Sequence, residues 1–270
     1  EAAVIQWSWL EEVGPNLPTH SFLPFNTAKP DQFNSIHDKL IAKWKDLDPY
    51  LSKPVYFAGL DNPEDQLTLI YLRDTAQQAG LETLQMYMEE IGWSDEQQSF
   101  VDPEEHTMLS IFKLYPWEAM LAEDFGPHAL QTYQNAQGSV NWIEPIWKLL
   151  LSNKGILPIL WELYPKHELL LEAHFEGPGA MRDYVRKPLI SREGANITVV
   201  RNNATVATTD GTYHGRQVYQ ALAPETIFDQ KHPVLGVWMV DQECCGLGIR
   251  ESAGLITDNF SSFVPHFFLS

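Results

Sequence analysis

The residues best suited to chemistry fall between Tyr184 and Ile197, where a lysine sits inside an apolar stretch that runs into a short polar loop. Val185 to Ile190 reads as a strand interrupted by Lys187, and Ile197 to Val200 reads as a second strand. Ser191, Arg192, Gly194 and Asn196 stand between them. A lysine on a strand that feeds such a loop can set a point charge beside a phosphate, and free loop N–H groups can close over the same oxygens. Gly194 suits this role because glycine takes positive φ and close backbone approach at little cost. The same residues also describe a plain β-hairpin with a solvated basic edge, and spacing alone does not choose.

Other chemistries leave no pattern. The nine histidines are scattered, without His-x-x-x-His, and Cys-x-x-Cys is absent. There is no Gly-x-Ser-x-Gly, no Walker A motif and no Gly-x-Gly-x-x-Gly. Lys148 and Lys154 flank a helix break and read first as surface lysines. Glu64 and Asp65 at a helix start are explained by the helix dipole. Val218 to Ala223 fits either an interior strand or a hinge whose backbone meets a base.

These residues need elements to hold them, and the chain supplies an alternating pattern first. Residues 1–13 read as helical, and a loop follows from Gly14 to about Pro30. Asp31 or Asn34 could cap the next helix, which carries Phe33, Ile36, Leu40, Ile41 and Trp44. Val55–Gly59, a helix from Asp61 to Ala79 and Leu84–Met88 form a strand–helix–strand unit, the start of an α/β layer. His106–Lys113 reads as a strand and Trp117–Phe125 as a helix broken at Gly126-Pro127. A helix is expected from Pro145, interrupted at 152–155 and resumed over Ile156–Tyr164. From Tyr184 the pattern is mostly β, with strands expected over 184–190, 197–201, 204–208, 217–222, 234–240, 246–250 and 254–257. A boundary is expected near 125–140, α/β before it and α+β after it.

Composition narrows the partners. With 18 Lys+Arg against 36 Asp+Glu, the net charge of −18 argues against a nucleic-acid or anionic-membrane surface. The only cysteines, Cys244 and Cys245, are adjacent, so a disulfide framework is excluded and a reducing, cytoplasmic setting is expected. No apolar run reaches membrane-span length. The sequence begins without methionine, inside an amphipathic pattern, and further residues are expected before Glu1.

Four segments together carry a resemblance: Glu144 to Lys154, Ile156 to Trp161, Tyr184 to Pro188 and Arg192 to Ile197. In order and spacing they resemble the glutathionylspermidine synthetase-like ATP-grasp family, and within it the single-domain bacterial acid–amine ligase branch. The resemblance runs the length of the chain, through Pro63-Glu64-Asp65 and Trp117-Glu118. It implies an ATP-grasp fold, with a pre-ATP-grasp-like, substrate-binding α/β region over 1–130 and a nucleotide-binding region over 131–270. It implies ATP and magnesium, an acyl-phosphate intermediate, and a carboxylate and an amine as substrates. Carried over by position, Lys154 and Lys187 fall on ATP-contacting lysines, with Ser191 and Gly194 in the phosphate-covering loop. Gln220, Ala221, Leu222 and Ala223 fall on the adenine hinge, and Leu255, Ile256 and Thr257 on a late segment beside the nucleotide. Arg192 and Asp65 fall on substrate contacts. The family's magnesium ligands and transition-state arginine would lie before Glu1, so the resemblance implies either a working ligase or an inactive nucleotide-binding relative. Leu114 and Ala119 stand where glutathione-using members carry threonines, and Val234 stands near an ATP-contacting glutamine, which points to a different acid and amine.

Overall fold

The computed structural model describes residues 2–13, 16, 30–133 and 139–269. The chain forms two units, one of residues 35–149 with 240–243, the other of 1–34, 150–239 and 244–270. It opens with α1 (Val4–Ser8), prolonged by a π-helical turn over Trp9–Val13, and then β1 (Pro30–Asp31). Buried Gln6 pins α1, its Oε1 accepting the His266 backbone N–H at 3.2 Å. Most of the loop expected over 14–30 lies outside the described residues.

The first complete unit is layered around a parallel sheet. Its elements are α2 (Ile36–Leu47), β2 (Val55–Gly59), α3 (Pro63–Gln78), β3 (Thr83–Tyr87), β4 (Gly92–Ser94), β5 (Ser99–Val101), β6 (Ser110–Leu114), α4 (Trp117–Met120), α5 (Gly126–Gln131) and β7 (Asn141–Ile143). The sheet order is β3-β2-β6-β7, parallel throughout. Every residue of β2 is buried, as a parallel strand covered on both faces requires. Its alternate residues feed two cores. Tyr56 and Ala58 join Met86, Ile111 and Trp142 on one face, while Val55 and Phe57 join Trp44, Leu69 and Leu81 on the other. The expected β2–α3–β3 unit is therefore present, with Pro63 at the start of α3 and Asn62 capping it through the Asp65 N–H at 2.9 Å.

Three expectations here are corrected. Neither Asp31 nor Asn34 caps α2: Ser35 holds the N-cap position, with no side-chain bond to the helix's first N–H groups, and the Asn34 amide instead donates to the Ala3 carbonyl at 2.9 Å. Gly126-Pro127 opens α5 rather than ending a long helix, because proline is tolerated in a first turn where its missing N–H is not needed. The strand expected over His106–Lys113 begins only at Ser110.

The second unit is antiparallel. It contains α7 (Ile156–Leu163), reached through α6 (Leu149–Ser152), then β8 (Ala173–His174), β9 (Tyr184–Pro188), β10 (Thr198–Arg201), β11 (Ala204–Thr208), β12 (Gln217–Ala221), β13 (His232–Val240), β14 (Glu243–Ser252), β15 (Ser262–Val264) and β16 (Phe268–Leu269). The main sheet runs β11-β10-β9-β12-β8, with β9 central, and α7 packs against β8 and β12. Strands β13, β14 and β15 form a three-stranded sheet, and β16 pairs with β1. Residues 254–257, expected as a strand, form a bend without ladder pairing.

Candidate functional site

Strand register builds the site. In β9, Lys187 lies opposite Val218 of β12, and Gln220 lies two residues further along the same face, opposite Val185. That diagonal is within reach of a long side chain. The Lys187 ammonium donates to Gln220 Oε1 at 2.7 Å. Arg186, one residue away, faces the other side of the sheet, as pleating demands.

Lys154 approaches from the turn before α7. Its backbone N–H donates to the Leu189 carbonyl at 2.8 Å, and its ammonium donates to Ser191 O at 2.6 Å and Ser191 Oγ at 3.1 Å. Two lysines are thus gathered at the mouth of one loop. Burial, and secondarily the Lys154 charge, push the Lys187 pKa down to about 8. The bonded partner of Lys187 is a neutral amide, and the charge acting on it is another cation. An anion placed there would be stabilised by both lysines and would relieve their repulsion.

The loop after β9 is folded back tightly. Glu193, Gly194 and Asn196 all have positive φ, with Gly194 at +73°. A Cβ on Gly194 would lie 2.6 Å from the Thr257 carbonyl oxygen and 3.0 Å from Ile256 Cγ2, so the backbones approach more closely than any other residue permits. The Gly194 carbonyl accepts from Thr209 Oγ1. Asn196 ties the loop to its neighbour: its amide donates to Gly211 O at 3.1 Å and its Oδ1 accepts the Tyr213 N–H at 2.9 Å.

The structure therefore brings together Lys154, Lys187, Ser191, Gly194, Gln220, Ile256 and Thr257. Ala221 ends β12 with its N–H on the Glu172 carbonyl at 2.7 Å, Leu222 follows with its N–H on Asp183 O at 3.2 Å, and Ala223 is exposed beyond it. Leu255 sits in the bend that presents Ile256 and Thr257. Arg192 is exposed on the loop, its carbonyl accepting the Ala195 N–H. Asp65 lies in the other unit, in the first turn of α3. Thr209 and the Gln220 side chain were not singled out as supports of the loop and of Lys187. The first carries no sequence signal, since it acts through tertiary placement. The second could have been found from the antiparallel pairing of β9 with β12.

Among the described residues, one group has the donors to hold a metal: Asp102, Glu104 and His106, in the parallel unit. Asp102 is already saturated. Its carboxylate accepts Tyr56 OH and His106 Nδ1 at 3.0 and 3.2 Å, and the Glu104 and His106 N–H groups at 3.0 and 2.9 Å. Burial would raise its pKa, but the bonds from His106 and Tyr56 outweigh that and hold it below the usual carboxylate range. These residues lock a turn and do not fit magnesium.

Comparison with known proteins gives this geometry a context. The sequence family described as glutathionylspermidine synthase preATP-grasp matches residues 1–269. A Haemophilus influenzae protein named "Putative acid–amine ligase" is 35% identical over 282 residues, covering 100% of this chain and 67% of its own length. Trypanothione synthetase of Crithidia fasciculata is 29% identical over 77% of this chain and 35% of its own length. The bifunctional glutathionylspermidine synthetase/amidase of Escherichia coli is 27% identical over 72% and 35% respectively. The chain thus spans two thirds of the first relative and about a third of the other two.

Proposed function

The chain belongs to the glutathionylspermidine synthase preATP-grasp family, and from that premise we propose that the protein is an ATP-dependent carboxylate–amine ligase of the cytoplasm. The observation that carries the reading is the convergence of Lys154 and Lys187 at the Ser191–Asn196 loop, with Lys187 desolvated beside a second cation. Such a pair suits the phosphates of a nucleotide, because lysines stabilise charge there without themselves reacting. Residues 131–270 would hold the nucleotide, with Gln220 to Ala223 along the adenine and Leu255 to Thr257 beside it. Residues 1–130 would serve the substrates. Asp65 and Arg192 would contact them, the planar guanidinium being matched to a carboxylate.

In the reaction, a carboxylate oxygen attacks the γ-phosphorus, the bond to the β-phosphate oxygen breaks, and ADP leaves. The amine nitrogen then attacks the acyl carbon, loses a proton and expels inorganic phosphate, forming the amide. Lys154 and Lys187 would hold phosphate charge through the first step. The loop would keep water from the acyl phosphate. Magnesium accompanying the nucleotide would neutralise further charge, but no described residue of this chain is assigned to it. Leu114 and Ala119 are apolar where the glutathione-using members carry threonines, and the acid and amine are proposed to differ from glutathione and spermidine.

Thermal unfolding with Mg·ATP tests this. At about one hundred times its Kd, a nucleotide stabilises the fold by about 2.7 kcal/mol, which for a chain of this size corresponds to a rise in Tm of at least about 3 °C. The rise is expected in the parent and absent in Lys187→Met. A parent that does not respond at millimolar Mg·ATP, or a variant that responds equally, removes the nucleotide from this site.

A further inference from the structure

A cavity of about 320 Å³ lies within the parallel-sheet unit, on the side where its strands end. Leu60 follows β2, Met88 follows β3 and Tyr115 follows β6, and all three line it. Crevices outside the carboxyl ends of parallel strands are the usual ligand sites of such sheets, and this volume is at the lower end of small-molecule pockets. The walls are apolar, built by Met88, Ile91, Phe100, Met120 and Trp142. The rim is not: Glu89 and Glu123 both line the cavity and both are exposed, while among the described residues no lysine or arginine lines it.

The polar groups converge. The Tyr115 hydroxyl donates to Glu123 Oε1. That bond first, then burial, and then the charges of Glu123 and Glu89 push the phenol up to about 12, so both carboxylates act on one oxygen. The nearest buried cation, Lys113, is engaged elsewhere, donating to the Tyr115 carbonyl at 2.6 Å and lying 4.0 Å from the centroid of the Trp117 ring.

We propose that this cavity binds a primary ammonium group carried on an apolar chain, the chain against Phe100, Met120 and Trp142 and the ammonium between Glu89, Glu123 and the Tyr115 oxygen. An anionic ligand would meet two like charges, and a neutral one would leave the rim unused. If the ligase reading holds, on which this assignment of role rests, the cavity receives the amine that is to be acylated.

The six methionines make the test site-specific. Met88 and Met120 line the cavity, whereas Met181 and Met239 lie in the other unit and report non-specific binding. The full chain with ¹³C-methyl methionine is titrated at pH 7, without nucleotide, with n-pentylammonium, n-pentanol and pentanoate. Shifts confined to the Met88 and Met120 region are expected, with ammonium tightest and pentanoate weakest. From propyl- to pentylammonium, affinity should rise about fourfold per methylene. The Glu89→Gln/Glu123→Gln pair should weaken pentylammonium about fivefold, the scale of exposed charge pairs, and leave pentanol unchanged. Pentanol binding as tightly as pentylammonium, a double variant equal to the parent, or silent Met88 and Met120 methyls would each overturn the proposal. Silent methyls alongside a normal Mg·ATP response would remove the cavity and leave the ligase. Ammonium binding without any Mg·ATP response would support the cavity and remove the ligase.

Discussion

The central strands of the two main sheets put opposite kinds of residue in the interior. Val55 to Gly59 of β2 are apolar or aromatic and wholly buried, serving two cores at once. Strand β9 is just as central in its own sheet, yet carries Lys187, held by Gln220 and depressed by its surroundings. The first arrangement maximises removal of apolar surface from water. The second keeps a cation in a poorly solvated place, a cost that makes sense where a ligand supplies the missing charge. On the two proposals above, the contrast would also divide the binding sites: strand ends and a rim in the parallel unit, and the sheet face in the antiparallel one.

The largest effect that could break this contrast comes from truncating β2. Phe57 is fully buried, with ring centroids 5.5 Å from Trp44 and 5.2 Å from Phe112. Phe57→Ala should cost about 3–5 kcal/mol in denaturant unfolding. A cost below about 1 kcal/mol would mean that β2 is not the packing centre described above.

A smaller effect separates strain from collision at two glycines. Gly194 has φ +73°, and a Cβ added there would lie 2.6 Å from the Thr257 carbonyl oxygen, while Gly80, in the parallel unit, has φ +97° and nothing within 4 Å of an added Cβ. Alanine at either position adopts an unfavourable backbone conformation, worth about 1–3 kcal/mol. Only at Gly194 must the backbones also separate. Gly194→Ala should therefore cost more than Gly80→Ala in thermal unfolding, and only Gly194→Ala should diminish the Mg·ATP response. Equal costs and equal responses would show that the loop yields freely and that its closeness to Ile256 and Thr257 has no consequence.

Legibility in the sequence follows the same division. The β2–α3–β3 unit was readable because Pro63, Gly80 and two short apolar runs are local signals, and local signals are what dihedral preferences record. The hairpin of β9 and β10 was readable for the same reason, with the loop residues between two apolar stretches. The short β4–β5 hairpin and β7 were not read as strands, since three residues carry too little periodicity to stand out. Residues 254–257 misled because Leu255 and Ile256 are apolar for tertiary reasons, Ile256 meeting the loop at Gly194 rather than pairing in a sheet. The cavity rim was invisible for a similar reason: Glu89, Tyr115 and Glu123 come from three separate segments that only the parallel register unites.

The smallest effect tests the contrast by alkali. An unfolded lysine titrates near 10.5, and folded Lys187 near 8, so folding disfavours its charged form. Below about pH 8 the folded and unfolded states are both protonated there and the penalty is complete. Between about 8 and 10.5 the unfolded chain holds more protons, so stability rises with pH until the penalty is gone. The buried phenols of the parallel unit act in the opposite sense. Tyr56 is raised to about 12 by burial and then by Asp102, and Tyr115 to about 12 chiefly by Glu123, so their contribution is complete below about pH 10 and is lost through 12. Lys187→Met removes only the first trend. Compared with the parent, it should be more stable at pH 7 by about 1–2 kcal/mol, allowing for partial solvent access. That advantage should shrink as pH rises from about 8 and vanish only above about 10.5, measured as the difference in urea unfolding free energies across the range. A difference that is flat with pH would mean Lys187 is as well solvated as a surface lysine, and β9 would then differ from β2 in composition but not in the environment it creates.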